Sequence, residues 1–272
     1  MKKIREAHVA GMFYPSDPKV LKKQINDFFD LVKIDINYKN VAGIISPHAG
    51  YMYSGKTAAH GFKTIQNKKY KTVIVISPSH REYFHGISIY DGDAYKTPLG
   101  EIPIDKAMKT EIISKSDLIF EGIEGHRVEH ALEVQLPFLQ MSLSNFELVP
   151  IVIGDQRKQY VNELGEVLSH FINDNTLLVA STDLSHFYTK SQANILDSRV
   201  AEHINKFQFE ELQNDLEGKR CEACGGGGIV ALMKALKMNN YNSSSVVAKS
   251  DSGDITGDES EVVGYLSAVI YN

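Results

Sequence analysis

Residues 72–80, with the sequence Thr-Val-Ile-Val-Ile-Ser-Pro-Ser-His, contain a short apolar run that ends in serine, proline and histidine. The run is rich in β-branched residues and does not alternate between polar and apolar positions. This pattern is typical of a strand that is buried on both faces of a parallel sheet. Comparable apolar runs occupy 41–46, 146–153, 176–181, 245–249 and 262–270.

Helix-like segments separate these runs. The first begins at Asp17-Pro18, where a capping residue precedes a proline at the first helical position, and it extends to about Val32. Strands that alternate with helices predict an α/β fold with a mostly parallel central sheet and helices on both faces. The other helices are predicted near 55–66, 105–114, 129–141, 156–172, 190–205 and 226–238.

The 272 residues contain no linker between two regimes of composition and no internal repeat. We therefore predict one domain over residues 1–272. With 43% hydrophobic and 23% charged residues, the composition is that of a globular protein and excludes a disordered chain. The segment 83–103, which contains glycines, aspartates and Thr-Pro, interrupts the alternation and predicts strands and turns in an antiparallel excursion.

Charge and hydropathy exclude two classes of partner. The chain has 29 Lys and Arg against 34 Asp and Glu, a formal net charge of -5, and no basic block, so we expect no nucleic-acid binding. No apolar run approaches the roughly 18 residues that a membrane helix needs.

Two cysteines, Cys221 and Cys224, cannot form a disulfide framework in a chain of this length. We expect a soluble protein of a reducing cytoplasm.

Three of the predicted strands end in a polar cluster that contains a histidine: His48, His80 and His186. In open α/β sheets, ligands bind just beyond the carboxyl ends of the strands. Three histidines in equivalent positions therefore predict that their side chains converge on one crevice, which is a stronger indication of a functional site than one loop histidine alone.

A fourth feature is the pair Cys221 and Cys224, followed by four glycines at 225–228 and a helix-like segment. A cysteine that directly precedes a helix experiences the positive end of the helix dipole, which favours the thiolate that binds metals. Bare glycine backbone would also let main-chain N–H groups approach a ligand. Metal ligation by Cys224 is the interpretation we favour, and a structural glycine turn, a redox pair or an anion site remain alternatives.

The roles of His186 and His130 depend on the residues next to them in the sequence. Asp183 and His186 are three residues apart, so on a helical turn Asp183 would orient the imidazole and raise its basicity. Alternatively, Asp183 caps a helix that begins near Leu184. His130 follows Glu129 at the start of an amphipathic pattern, where it is either a core histidine or part of the site.

An ordered set of motifs resembles the MEMO family and covers nearly the whole chain. The motifs are Arg5, 10–15 (AGMFYP), 47–51 (PHAGY), Ser54-Gly55, 77–80 (SPSH), 129–138 (EHALEVQLPF), 181–186 (STDLSH) and Cys224-Gly225. In prokaryotes, this resemblance points to component B of the AmmeMemoRadiSam system. That component is encoded near a radical-SAM protein and an AMMECR-like protein.

The resemblance implies the fold of class III extradiol dioxygenases of the LigB type, which hold non-haem Fe(II) with two histidines and a carboxylate. Carried over by motif, His48 and His80 match the two ligands, and His186 matches the acid/base histidine. Cys224 takes the place of the carboxylate. Two imidazoles and one thiolate form a softer site, which suits Fe(II), the ion we favour, and also copper or zinc.

The expected function is that of a redox protein acting on an unknown, possibly phenolic, small molecule, with His186 and Asp183 in catalysis. Tyr51, His130 and Gly225 are expected to contact the substrate. The alternative is a binding, signalling or metal-delivery protein that works with AMMECR-like and radical-SAM partners. A zinc hydrolase ranks lowest, because the chain has no His-Glu-x-x-His motif.

Overall fold

The computed structural model describes residues 2–34, 36 and 38–272. The strands are β1 (Ile4–Arg5), β2 (Gly43–Ser46), β3 (Thr72–Pro78), β4 (Ile87–Tyr90), β5 (Ala94–Thr97), β6 (Gly100–Pro103), β7 (Ile119–Gly122), β8 (Glu147–Ile153), β9 (Thr176–Ser181), β10 (His186–Tyr188), β11 (Ser243–Asp251) and β12 (Val262–Tyr271). The helices are α1 (Pro18–Leu31), α2 (Tyr51–Lys63), α3 (Lys106–Ile113), α4 (Gln135–Ser142), α5 (Lys158–Ser169), α6 (Lys190–Asn205), α7 (Phe209–Glu217), α8 (Gly226–Met238) and α9 (Gly253–Thr256).

One large sheet organises the molecule. Its strand order is β10-β12-β2-β9-β3-β8-β4-β7, and β11 pairs with β12 outside this path. The central strands β2, β9, β3 and β8 are parallel, whereas β12 and β4 flank them in antiparallel orientation. The predicted α/β fold with a central sheet is therefore confirmed, with a parallel centre and antiparallel pairings on both sides of it.

The segment 83–103 forms the predicted antiparallel excursion. β4 pairs antiparallel with β8, and β5 and β6 form an antiparallel pair. β5 and β6 belong to a second, three-stranded sheet, in which β1 pairs with β5. This arrangement joins the N-terminal residues to the middle of the chain.

Strand β3 shows why the apolar runs are continuous. Val73 and Val75 pack into the cluster that also contains residues of α1, α2 and α4, whereas Ile74 and Ile76 pack against α5 and α8 on the opposite face. All four side chains are completely buried. Burying one such side chain stabilises the fold by about 2 kcal/mol, so both faces of the strand must be apolar.

Helix α1 follows its predicted signals. The Asp17 carboxylate accepts hydrogen bonds from the backbone N–H groups of Lys19 and Val20 at 2.8 and 2.9 Å. The buried residues of α1, Leu21, Ile25 and Phe29, recur every four positions and form a stripe that packs against α2 and α4. The helix ends at Leu31, close to the predicted end.

Two local predictions are wrong. The helix predicted over 129–141 begins only at Gln135, and the residues before it form turns, in which Gln135 N donates to Leu132 O and Leu136 N donates to Glu133 O. The residues between β9 and β10 form no helical turn either: Leu184 N donates to Gly264 O. Asp183 therefore neither caps a helix at Leu184 nor shares a helical face with His186. In addition, α7 was not predicted.

No helix within the described part of the chain is both long enough and apolar enough to cross a bilayer.

Candidate metal centre

The three strands that end in histidine-containing clusters are direct neighbours. β2 pairs with β9 and β9 pairs with β3, all in parallel, and Ser46 lies opposite Ser181 at their carboxyl ends. The segments that follow these strands carry His48, His80 and the pair Asp183 and His186. Of the three histidines predicted to converge, His48 and His80 meet at this end of the sheet, whereas Cys224 rather than His186 completes the group of possible ligands.

His48, His80 and Cys224 come together although they are far apart in the sequence. One potential ligand atom from each lies within 4.8 Å of the other two. His48 Nε2 is 3.2 Å from Cys224 Sγ, and the ring centroids of His48 and His80 are 5.0 Å apart. The His48 side chain is 2% exposed and that of His80 is 29% exposed, so the group is reached from one side.

The backbone holds Cys224 against the end of β9. Cys224 N donates to Asp183 O at 3.1 Å, and Asp183 N donates to Cys224 Sγ at 3.2 Å. Burial, followed by the nearby Asp183 charge, raises the pKa of the Cys224 thiol. In the ion-free chain, burial thus opposes the thiolate that the helix dipole is expected to favour. A bound cation reverses this balance, because coordination deprotonates a thiol.

The glycine run serves close packing. A Cβ atom on Gly225 would lie only 2.1 Å from the backbone oxygen of Ser181, and one on Gly226 would lie 2.6 Å from a methyl of Leu216. The N–H groups of the four glycines at 225–228 donate in turn to Thr182 Oγ1, Ala223 O, Gln156 Oε1 and Gly225 O. These N–H groups are therefore not free to bind a substrate or an anion.

Glu129 is a site residue that the sequence analysis did not single out. Its carboxylate accepts hydrogen bonds from His80 N at 2.5 Å and His80 Nδ1 at 2.9 Å. Since the carboxylate can only accept, His80 carries its proton on Nδ1, and its Nε2 is left free for a ligand. Burial acts to raise the pKa of Glu129, but interactions with His130 and His80 outweigh it and keep this pKa below its usual range.

His130 belongs to the same cluster. Its ring centroid lies 4.8 Å from that of His80 and 5.4 Å from that of His48, and its Nδ1 is 3.2 Å from Glu129 Oε1. Tyr51 is placed differently: it is 1% exposed, and its hydroxyl donates to Val134 O at 2.8 Å. The structure thus brings His130 to the site and places the Tyr51 side chain in the core.

Asp183 lies next to both His48 and Cys224, with its Oδ2 4.0 Å from His48 Nε2. Asp183 Oδ1 accepts a hydrogen bond from His48 N at 2.7 Å, and burial raises the pKa of this carboxyl to about 6. His186 and Cys224 both line a cavity of about 710 Å³, whose apolar wall includes Leu184 and Leu216. A cavity of this size accommodates a small organic molecule next to the cysteine.

The donor set fits a metal ion. Two neutral imidazoles and one thiolate form the type of site that binds Fe(II), copper or Zn(II). Each imidazole also has its Nδ1 within hydrogen-bond distance of a protein group, Ser181 Oγ for His48 and Glu129 for His80. Such outer partners are characteristic of metal-binding histidines.

Known proteins of one family are similar to nearly the whole chain. The model of a family described as "Memo-like protein" matches residues 5–269. A MEMO1 family protein of Methanobrevibacter smithii is 35% identical over 98% of this chain and 99% of its own, and one of Thermotoga neapolitana is 34% identical with the same coverage. The crystal structure of an uncharacterized Escherichia coli K12 protein has the same fold, with a TM-score of 0.56 and 14% identity over 85% of this chain and 99% of its own.

Proposed function

The chain belongs to the Memo-like protein family, and from this premise we propose that it is an oxidoreductase with one bound metal ion. His48, His80 and Cys224 are the ligands in this proposal, and the substrate is a small molecule, with a phenol as the candidate class, that occupies the cavity beside Cys224. The observation that carries the proposal is the convergence of two imidazole nitrogens and one sulfur within 4.8 Å of one another.

Fe(II) is the ion we favour, followed by copper and then zinc. A thiolate with two imidazoles does not select among these ions by affinity alone. When bound, Fe(II) or copper supplies electron exchange with the molecule in the cavity. A predominance of zinc in protein purified without added metal would instead favour a hydrolase, in which zinc activates water.

The chain's own residues would bind the substrate and move its protons. His186 lines the cavity together with Cys224, so its imidazole is placed to take a proton from a hydroxyl group bound there, or to return it. Asp183 accepts the backbone N–H of His48 and so fixes the segment that carries this ligand. Leu184 and Leu216 would exclude water from one side of a bound ring.

The test is to load the protein anaerobically with Fe(II), confirm the bound metal, and measure O₂ consumption with a panel of catechols and other phenols. We expect uptake with at least one compound, and none with His48→Ala or Cys224→Ser. Uptake no greater than that of free Fe(II), with metal shown to be bound, would rule out this oxygenase-type activity.

A second candidate function is metal delivery or recognition of AMMECR-like and radical-SAM partner proteins. The feature that favours it is the partly exposed His80, because a ligand at the surface allows an ion to pass to a partner. Pull-down of purified partners by wild-type protein and by His48→Ala separates the alternatives. If both proteins capture the partner equally, recognition does not depend on the metal site.

A further inference from the structure

We propose that Ser181 is a positioning residue, which fixes the tautomer of His48 and thereby sets the affinity of the site for its ion. Ser181 is the last residue of β9 and is completely buried. Its hydroxyl contacts three groups that come from two other segments of the chain, one with Ala131 and Gln135 and one with His48. The inference about metal affinity rests on the proposed function, whereas the inference about the tautomer of His48 does not.

The position of the Ser181 proton follows from one short distance. Ser181 Oγ lies 2.6 Å from the backbone oxygen of Ala131. Two oxygen atoms this close need a proton between them, and a carbonyl has none to give. The single proton of the Ser181 hydroxyl is therefore committed to Ala131.

The remaining contacts of Ser181 Oγ must then come from donors. Gln135 Nε2 lies 2.8 Å from Ser181 Oγ and 2.9 Å from Pro47 O. Since Pro47 O is also an acceptor, this end of the amide must be the NH₂ group. Gln135 thus occupies one lone pair of the hydroxyl and leaves the other for His48.

His48 Nδ1 lies 2.9 Å from Ser181 Oγ. With its proton on Ala131, Ser181 can only accept from this nitrogen, so His48 carries a proton on Nδ1. In the neutral ring, Nε2 then has a free lone pair, and this is the atom that lies 3.2 Å from Cys224 Sγ. The imidazole is set in its ligating form before any ion binds, so the ion need not shift the tautomer.

A buried hydroxyl could instead serve the fold alone, and Ser77 offers a matched comparison. Ser77 lies near the end of the neighbouring strand β3, is 1% exposed, and its Oγ has no hydrogen-bond partner among the residues that the structure describes. Replacing Ser77 by alanine therefore removes a similar buried hydroxyl without touching His48. The pair Ser181→Ala and Ser77→Ala separates the two roles.

The experiment combines two measurements on the full chain. In ion-free protein labelled with ¹⁵N-histidine, NMR shifts of the ring nitrogens report which one is protonated, and His48→Gln assigns the signals. Titration with Co(II), followed by the thiolate-to-cobalt absorption, then reports affinity and ligation by Cys224. Urea unfolding of each variant checks that it is folded.

We expect wild-type His48 to be protonated at Nδ1 and free at Nε2. Ser181→Ala should lose this fixed tautomer and bind Co(II) at least about 10-fold more weakly, while Ser77→Ala retains both properties. A wild-type ring protonated only at Nε2, or unchanged Co(II) affinity in folded Ser181→Ala, would overturn the inference.

The wild-type ring signals decide the tautomer even if Ser181→Ala does not fold. If wild-type protein binds no Co(II), the proposed function fails and the proposed effect on affinity fails with it, whereas the ring signals still decide the tautomer.

Discussion

At the scale of single residues, hydrogen-bond partners of the histidines are as informative as the histidines themselves. Glu129 and Ser181 each contact the Nδ1 atom of one imidazole, and both leave Nε2 as the free nitrogen. A site built for an ion needs ligands held in one orientation, because each freely rotating ring reduces affinity.

Glu129→Gln should weaken metal binding by about 10- to 100-fold. His80 N donates to Oε2 of the carboxylate and His80 Nδ1 to Oε1, and the amide keeps only one of these two oxygens, so one of the two hydrogen bonds is lost. Competition between the protein and a coloured chelator for Zn(II) measures the change. The control Glu163→Gln makes the same chemical change on α5, and equal affinities for the two variants would contradict the role of Glu129.

The sequence pattern singled out three histidines after strand ends and Cys224 before a helix, and the resemblance to the MEMO family then selected His48 and His80 with Cys224 as the ligands. Their convergence is confirmed, while their roles as ligands remain predictions. Glu129 and Ser181 were not singled out, since a glutamate in a turn and a serine at a strand end are common. Only the distances to the imidazoles distinguish them.

At the scale of elements, the cap of α1 offers a direct test of a local signal. Asp17→Ala removes the acceptor of two backbone N–H groups and should lower the free energy of unfolding by about 1 kcal/mol. Chemical denaturation measures the change. Asp30→Ala, near the other end of the same helix, removes a carboxylate from the negative end of the dipole and should cost nothing. A loss for Asp30→Ala as large as that for Asp17→Ala would argue against capping.

The start of α8 is a second element whose geometry matters for the site. Gly225→Ala should destabilise the protein by about 1–3 kcal/mol and weaken metal binding. The added methyl would overlap the Ser181 oxygen and displace the segment that carries Cys224. Gly228→Ala is the matched control: the nearest atom to its methyl is a side-chain carbon of Ile76 at 3.3 Å. Denaturation and metal titration of both variants check the prediction, and it fails if Gly225→Ala behaves like Gly228→Ala.

Elements with strong local signals were predictable. Strand β9 has the predicted bounds, and α6 and α8 match their predicted ranges. The helix predicted at 129–141 failed in its first part, where the Glu129 side chain is bonded to His80, 49 residues away in the sequence. Such a contact depends on the tertiary arrangement and is not visible in local periodicity.

At the scale of the whole molecule, buried histidines make stability depend on pH. His126 is 1% exposed and lies between the Tyr95 hydroxyl and Ser88 O. Burial lowers the pKa of His126 to about 3, well below the value of about 6.5 in an unfolded chain. The unfolded state therefore binds the proton first as the pH falls, and the folded state loses stability between about pH 6.5 and 3.

In this window, His126 alone should reduce the free energy of unfolding by about 1.4 kcal/mol per pH unit. His126→Gln cannot be protonated, so its stability should fall less steeply with decreasing pH. Urea denaturation of the two proteins at several pH values between 7 and 4 measures both slopes. Parallel slopes would show that His126 titrates alike in the folded and unfolded states.

The central claim is that one sulfur and two imidazoles surround a single ion. X-ray absorption spectroscopy of protein loaded anaerobically with one equivalent of Fe(II) tests this claim most directly. We predict an iron shell with one sulfur scatterer and two imidazoles, and the loss of the sulfur in Cys224→Ser. A wild-type shell made only of oxygen and nitrogen, with no sulfur, would contradict the account.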